Sequence, residues 1–299
     1  MFENSYTPVS VIGLGAMGAA LAGAFVGAGY PTTVWNRTAA KAEALVAKGG
    51  RQAATVEDAV AASPLVIACL TTYDDTLEVL EPAAEQLEGR ALVTLNSGSP
   101  AGARQMAAWA TSNGARFLGG AVKNVPSAVG GADTLLYYGG DRSVFDEFET
   151  TLKVLGGDTV HLGDEPDLAA LYEMAVGGTL LPALVGFFQG AAAVQARGLP
   201  ASTLVPYTIK WLEMIGSVLP AFAREIDTGD YTEPESSVNL FLAGAAHDEE
   251  LGKEANLDVS WQRPLHELLE RAVAAGYGDH SISALTEVLK KPTGGQVVS

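Results

Sequence analysis

The 299-residue sequence has a single cysteine, Cys69. An internal disulfide is therefore excluded, and so is a metal cluster built on cysteine. Cys69 sits inside an apolar run and reads as a buried thiol. Histidine is scarce too. His161, His247, His266 and His280 are scattered, no HExxH occurs, and no metal site is expected. Positive charge is in short supply, with 18 Lys and Arg against 35 Asp and Glu, a formal net charge of −17. A nucleic-acid binder carries a basic patch, so that class is set aside. Acidity of this size also accompanies adaptation to high salt. G-x-S-x-G is absent, so Ser97 is no nucleophile elbow. The opening MFENSYTP has no basic segment leading into an apolar core. No signal peptide is expected, and the cytoplasm is the expected compartment.

What is present is a globular composition, 48% hydrophobic and 18% charged. Strand and helix patterns alternate over the first 160 residues or so. Strands are expected at 9–13, 32–36, 65–70, 91–97, 115–122 and 134–140. Helices are expected at 17–29, 38–50 (Thr38 as N-cap, Gly49 as stop) and 55–63 (capped by Thr55). Continuous apolar runs such as LVIACL fit strands buried on both faces. The fold class is α/β: an N-terminal Rossmann-type doubly wound parallel sheet at 1–163, a long interdomain helix at 164–196 and an all-helical C-terminal domain at 197–299.

Residues 174–196 carry no charge and are long enough to cross a bilayer. The stretch is rich in Gly and Ala, contains Pro182, Gln189 and Gln195, and follows an α/β pattern, so a buried helix is expected. It forms part of one helix over about 166–196, with a kink at Pro182. Further helices are expected at about 201–227, 235–246, 249–257, 262–275 and 281–291, followed by a frayed tail. So apolar a helix needs covering surface, which predicts a homodimer whose helical domains pack or interleave.

Gly13, Gly15 and Gly18 spell G-x-G-x-x-G between a strand and a helix. Gly13 permits the tight turn, Gly15 the approach of a pyrophosphate and Gly18 close helix–strand packing. Leu14, Ala16 and Met17 complete the loop of a dinucleotide site. At the end of the second strand the sequence reads VWNRTAAK, and no acid lies between Gly29 and Glu43. Arg37, with Asn36, Thr38 and Lys41, suits a 2′-phosphate, which selects NADPH. Two more strand ends bring Leu70, Thr71 and Thr72, and Asn96 and Ser97. These either line the cofactor or serve as turn and cap residues.

VIGLGAMGAALAGAFVGAGYPTTVWNRT resembles the opening of the β-hydroxyacid dehydrogenase and 6-phosphogluconate dehydrogenase superfamily. The segment LNSGSPAGARQMAAWATSNGARFLGGAVKNVPSAVGGADTLLYYGGD resembles its imine reductase branch, as does SALTEVLKK. The resemblance implies NADPH-dependent reduction of small cyclic imines in a homodimer. Hydroxyacid dehydrogenases of the superfamily place a lysine near the start of the interdomain helix. Here that helix begins LAALYEMAVGGTLLPAL, and no lysine occurs between Lys153 and Lys210. The tyrosine type of imine reductase is matched by Tyr172, which ranks first as the group near the imine nitrogen, and Glu173 ranks second. Thr179, Leu180 and Leu181 stand where relatives carry a second acid or tyrosine. The resemblance further implies a pocket lined by Val122, Trp211, Met214, Asn239, Leu240 and Phe241. The alternatives are an NADP-dependent β-hydroxyacid dehydrogenase and a non-catalytic NADPH-binding sensor.

Overall fold

The computed structural model describes residues 6–290. The chain divides into two units, the first ending at Thr179 and the second beginning at Leu180. The expected frayed tail lies outside the described residues.

The first unit runs β1 (Val9–Ile12), α1 (Ala16–Gly27), β2 (Thr32–Trp35), α2 (Glu43–Val46), β3 (Arg51–Gln52), α3 (Val56–Ala61), β4 (Leu65–Ala68), α4 (Tyr73–Leu80), β5 (Ala91–Thr94), α5 (Pro100–Ser112), β6 (Arg116–Lys123), β7 (Leu135–Gly140), α6 (Arg142–Leu152), β8 (Asp158–His161) and α7 (Leu168–Gly177). The eight strands form one sheet in the order β3-β2-β1-β4-β5-β6-β7-β8. β1, β4 and β5 are buried at every position, as central parallel strands must be. Apolar clusters cover both faces. One joins Val11, Leu21, Phe25 and Ile67, and the other Ile12, Val66, Leu92 and Met106.

Thr55 caps α3 by accepting the Asp58 N–H, as its sequence position predicts. Thr38 occupies the N-cap of a 3-10 turn, Ala39–Ala42, without a side-chain cap bond, and that turn replaces the first half of the expected 38–50 helix. The sheet departs from the all-parallel expectation at β7, which runs antiparallel to β6. The connection from Lys123 to Leu135 holds only the turn Pro126–Ala128, whereas a parallel pair needs a crossover. β3 and β8 are additional edge-side strands, short and largely exposed.

The expected helix over 166–196 is interrupted at Gly178–Thr179, where the Thr179 N–H reaches back only to Val176 O. Pro182 accounts for this. It has no N–H for the Gly178 carbonyl, and its ring crowds that carbonyl. The irregularity therefore lies one turn before the proline.

The second unit comprises α8 (Leu180–Ala196), α9 (Val205–Thr228), α10 (Val238–Ala255), α11 (Arg263–Ala272) and α12 (Leu285–Leu289). One helix, α10, replaces two expected segments, and its stop is Asn256 at φ 52°. A small core joins Val238, Leu269, Ala272 and Val288. Tyr231 donates to Glu287 at 2.8 Å and Ser281 to Glu225 at 2.6 Å. Contrary to the expected buried helix, α8 has no buried residue within the chain, and neither has α9. Leu181, Phe188 and Trp211 are 66%, 56% and 64% exposed. The stretch Leu168–Ala196 is long and apolar enough to cross a membrane by length and composition.

Burial pushes the Cys69 thiol up from 9.0 to about 11. It does the same to the Tyr73 phenol, from 10.0 to about 12, with the Glu173 carboxylate adding to the rise. Both raised groups contribute stability that is complete below their ordinary values and is lost as pH climbs through the raised ones, because the unfolded chain ionises first. Denaturant titrations at about pH 8 and about pH 11 should therefore show a loss of stability, and a smaller loss in Tyr73→Phe.

Candidate functional site

β1 leads directly into the glycine turn. Gly13 has φ +93°, and a Cβ there would lie 2.4 Å from the Cys69 carbonyl oxygen. At Gly18 a Cβ would fall 1.9 Å from Gly13 O, so α1 can start only with no side chain at that position. Gly15 differs: a Cβ there would meet nothing within 4 Å. The turn is thus closed against protein at Gly13 and Gly18 and open to a ligand at Gly15, the N-cap of α1. The N-terminal N–H groups of α1 and its dipole favour a phosphate here.

This opening belongs to a cleft of about 390 Å³ at the switch point between β1 and β4. Gly13, Gly15, Ala16, Met17, Gly18, Asn36, Arg37, Thr38, Lys41, Leu70 and Thr71 line it. Arg37 and Lys41 are exposed at its edge and make no ion pair among the described residues. Asn36 has a more particular position than expected. Its Oδ1 accepts the Leu14 N–H at 2.9 Å, and its Nδ2 donates to Thr38 O at 3.1 Å. It therefore ties the glycine turn to the arginine-bearing loop. Leu14 itself is buried, and its N–H is already taken. Asp75 and Glu78 also line the cleft, two acids that the sequence reading passed over. The residues present fit a dinucleotide with a charged ribose substituent.

Thr72, Asn96 and Ser97 are engaged elsewhere. Thr72 and Asp75 form a capping box on α4. Asn96 is buried and donates to Leu70 O and Thr72 O at 3.3 and 2.8 Å, fastening the end of β5 to the loop after β4. Ser97 donates from Oγ to Glu173 Oε1 at 2.9 Å.

That last bond marks a second pocket, of about 440 Å³, lined by Ser97, Gly98, Ser99, Lys123, Glu173, Met174 and Gly177. α7 reaches it because β6 and β7 are glycines where the helix arrives. Gly119 and Gly139 are cross-strand partners, and Cβ atoms there would lie 2.7 Å from Pro166 O and 2.9 Å from Glu165 O. Ala169 and Ala170 bury against the sheet, so Glu173 and Gly177, four and eight residues beyond Ala169, follow the same face. The second carboxylate oxygen of Glu173, Oε2, is buried without a hydrogen-bond partner.

Tyr172, first in the sequence ranking, lies off this face. It is 46% exposed and sets its ring edge against Tyr137, centroids 6.2 Å apart. Val122 packs on the core, whereas Lys123, next along β6, faces the pocket. The Lys123 Nζ donates to the Glu173 carbonyl at 3.4 Å. Sequence reasoning missed Lys123 because it sought a lysine on the helix. It also missed Tyr73, whose ring occupies the space beside Gly98 and Gly102 and whose hydroxyl feels the Glu173 charge. Trp211 and Met214 lie on α9, and Asn239, Leu240 and Phe241 on α10. All five are exposed residues of the second unit, and Asn239 donates to Asp279 at 2.9 Å. Among the described residues no group of three or more His, Cys, Asp and Glu could hold a metal.

The glycines separate folding from binding. Gly18→Ala should cost on the order of 1–3 kcal/mol of stability, read by denaturant unfolding. Gly15→Ala should leave stability within about 0.5 kcal/mol and still weaken NADPH binding, read by fluorescence titration.

Two family models match the chain. Residues 8–163 match the NAD binding domain of 6-phosphogluconate dehydrogenase. Residues 165–291 match the C-terminal domain described as NADPH-dependent reductive aminase-like. An NADPH-dependent reductive aminase of Aspergillus oryzae is 35% identical over 290 residues, covering 94% of this chain and 97% of its own. The imine reductase of Streptomyces aurantiacus superposes with a TM-score of 0.91 at 35% identity, over 95% of this chain and all of its own. A reductive aminase from Aspergillus terreus, solved with NADPH4, cyclohexanone and allyl amine, gives 0.88 at 34% identity, over 95% and 99%. With the phosphate-ready turn, the arginine loop and the carboxylate pocket already in place, these likenesses identify the chain as a member of the imine reductase and reductive aminase family within the 6-phosphogluconate dehydrogenase-like superfamily.

Proposed function

We propose that this chain reduces imines to amines with NADPH. The observation that carries the reading is Glu173: a carboxylate with one oxygen held by Ser97 and the other buried without a partner, facing a pocket of the cofactor-binding unit. NADPH supplies the hydride that the C=N carbon accepts. An imine accepts hydride well only when its nitrogen carries a proton, so the site has to favour a cation. The Glu173 carboxylate does this by charge, from the wall of the pocket it lines. Ser97 fixes the carboxylate rotamer. The Tyr73 phenol stays protonated at working pH, pushed up by burial and by the Glu173 charge, so it adds no negative charge near the pocket. Arg37, aided by Lys41, holds the 2′-phosphate at the far end of the cofactor cleft.

We also propose that a second copy of the chain covers the apolar faces of α8 and α9, since exposed side chains such as Leu181, Phe188 and Trp211 have no cover within one chain. A second reading, reduction of small carbonyl acids, has one observation in its favour: the Lys123 ammonium in the same pocket. Against it, α7 carries no lysine.

Two substitutions test the proposal. Glu173→Gln keeps the shape and removes the charge. It should lower kcat for a cyclic imine by about 100-fold with NADPH affinity unchanged, while Tyr172→Phe stays within about threefold. The opposite ranking would restore Tyr172 to the nitrogen. Arg37→Ala should raise KM for NADPH by about tenfold or more and leave KM for NADH nearly constant; equal losses would refute the phosphate role.

A further inference from the structure

Lys123 has no part in the imine-reducing reading above. Its position follows from the sheet. β6 pairs with β5 only from Arg116 to Gly119, while its pairing with β7 continues to Lys123. The overhanging end carries Lys123 past β5 and up to α7. Its ammonium donates to the Glu173 main-chain carbonyl and lies beside Gly177, where an added Cβ would be 3.7 Å away. It makes no ion pair among the described residues. Half-buried lysines without a carboxylate partner are uncommon on a chain with a net charge of −17. One acceptor at 3.4 Å leaves two of the three ammonium N–H groups for the pocket.

The pocket thus presents a carboxylate and an ammonium that are not joined in an ion pair. Each lacks a counter-charge, and a ligand that supplies both has a cationic nitrogen and an anionic group a few atoms apart. We infer that Lys123 is an anion-recognising residue and that the preferred substrates are imines bearing a carboxylate on or next to the C=N carbon. This inference rests on the imine-reducing function. Glu173 faces the iminium nitrogen, and Lys123 takes the carboxylate. The absence of a side chain at Gly177 keeps the space between them open. Reduction of such an imine adds hydride from NADPH to the C=N carbon and a proton to nitrogen, leaving NADP+ and an amino acid. The carboxylate is unchanged, so its contact with Lys123 persists through the reaction and acts on binding.

Two cyclic imines of the same ring size, Δ1-pyrroline-2-carboxylate and 2-methyl-1-pyrroline, differ only in the group at the C=N carbon. The full-length protein with saturating NADPH should favour the carboxylate by about tenfold or more in kcat/KM. Lys123→Met should abolish that preference by raising KM for the carboxylate, with the methyl compound and NADPH affinity changed less than about twofold. Lys123→Arg should retain most of it. A wild-type protein that reduces the methyl compound as well as the carboxylate overturns this inference and leaves the imine function standing. Equal losses on both substrates in Lys123→Met also overturn it, since Lys123 would then only brace α7. If neither imine is reduced, the function and the inference fail together. The wild-type comparison needs no variant, so a poorly folding Lys123→Met does not rescue the idea.

Discussion

The candidate site depends on how closely α7 can approach the sheet. Gly119 and Gly139 face each other across β6 and β7, and the chain around Glu165 and Pro166 passes where their side chains would be. A methyl group at either position would lift the start of α7 off the strands. Burial of Ala169 and Ala170 then sets the rotation of the helix, and that rotation aims Glu173 at Ser97. Two absent side chains and two methyl-sized ones therefore fix a carboxylate to within hydrogen-bonding distance of a residue 76 positions earlier in the chain. In a parallel sheet the loops at the strand ends are the mobile part. Here the loop after β5 is held from both sides, by Asn96 on the β4 side and by Ser97 on the α7 side.

Most of the cofactor unit could be read from the sequence because its determinants are local. β1, the glycine turn and α1 are contiguous, and each glycine has a separate steric duty. The NRT segment stands at a strand end, where position alone gives it access to the cleft. The capping of α3 by Thr55 is likewise a matter of neighbours. The failures arise where distant segments decide. LLYYGG looks the same whether it runs parallel or antiparallel. β8 lies at the edge, half exposed, and lacks an apolar run. Lys123 acquires its place only because β6 outruns β5, a fact of register.

The choice between Tyr172 and Glu173 shows the same division. Adjacent helical residues point about 100° apart, so only one of them can face the pocket. The phase was available in the sequence, as Ala169, Glu173 and Gly177 recur every four residues with small side chains on either side of the acid. Resemblance to a tyrosine-bearing branch pulled the ranking the other way. Packing against the sheet puts Glu173 in the lining of the pocket and leaves Tyr172 outside it.

The glycine turn also packs against Cys69, which lies at the floor of the cofactor cleft. The Gly13 loop lies against the Cys69 backbone, and a Cβ on Gly18 would lie 3.6 Å from the Cys69 Cβ. Burial keeps the thiol protonated well above neutral pH. A buried, protonated sulfur is a poor target for oxidants and maleimides. One cysteine introduced on the exposed face of a first-unit helix such as α6 would be far more reactive than Cys69, giving a dye or spin probe a preferred attachment point without removal of any native cysteine.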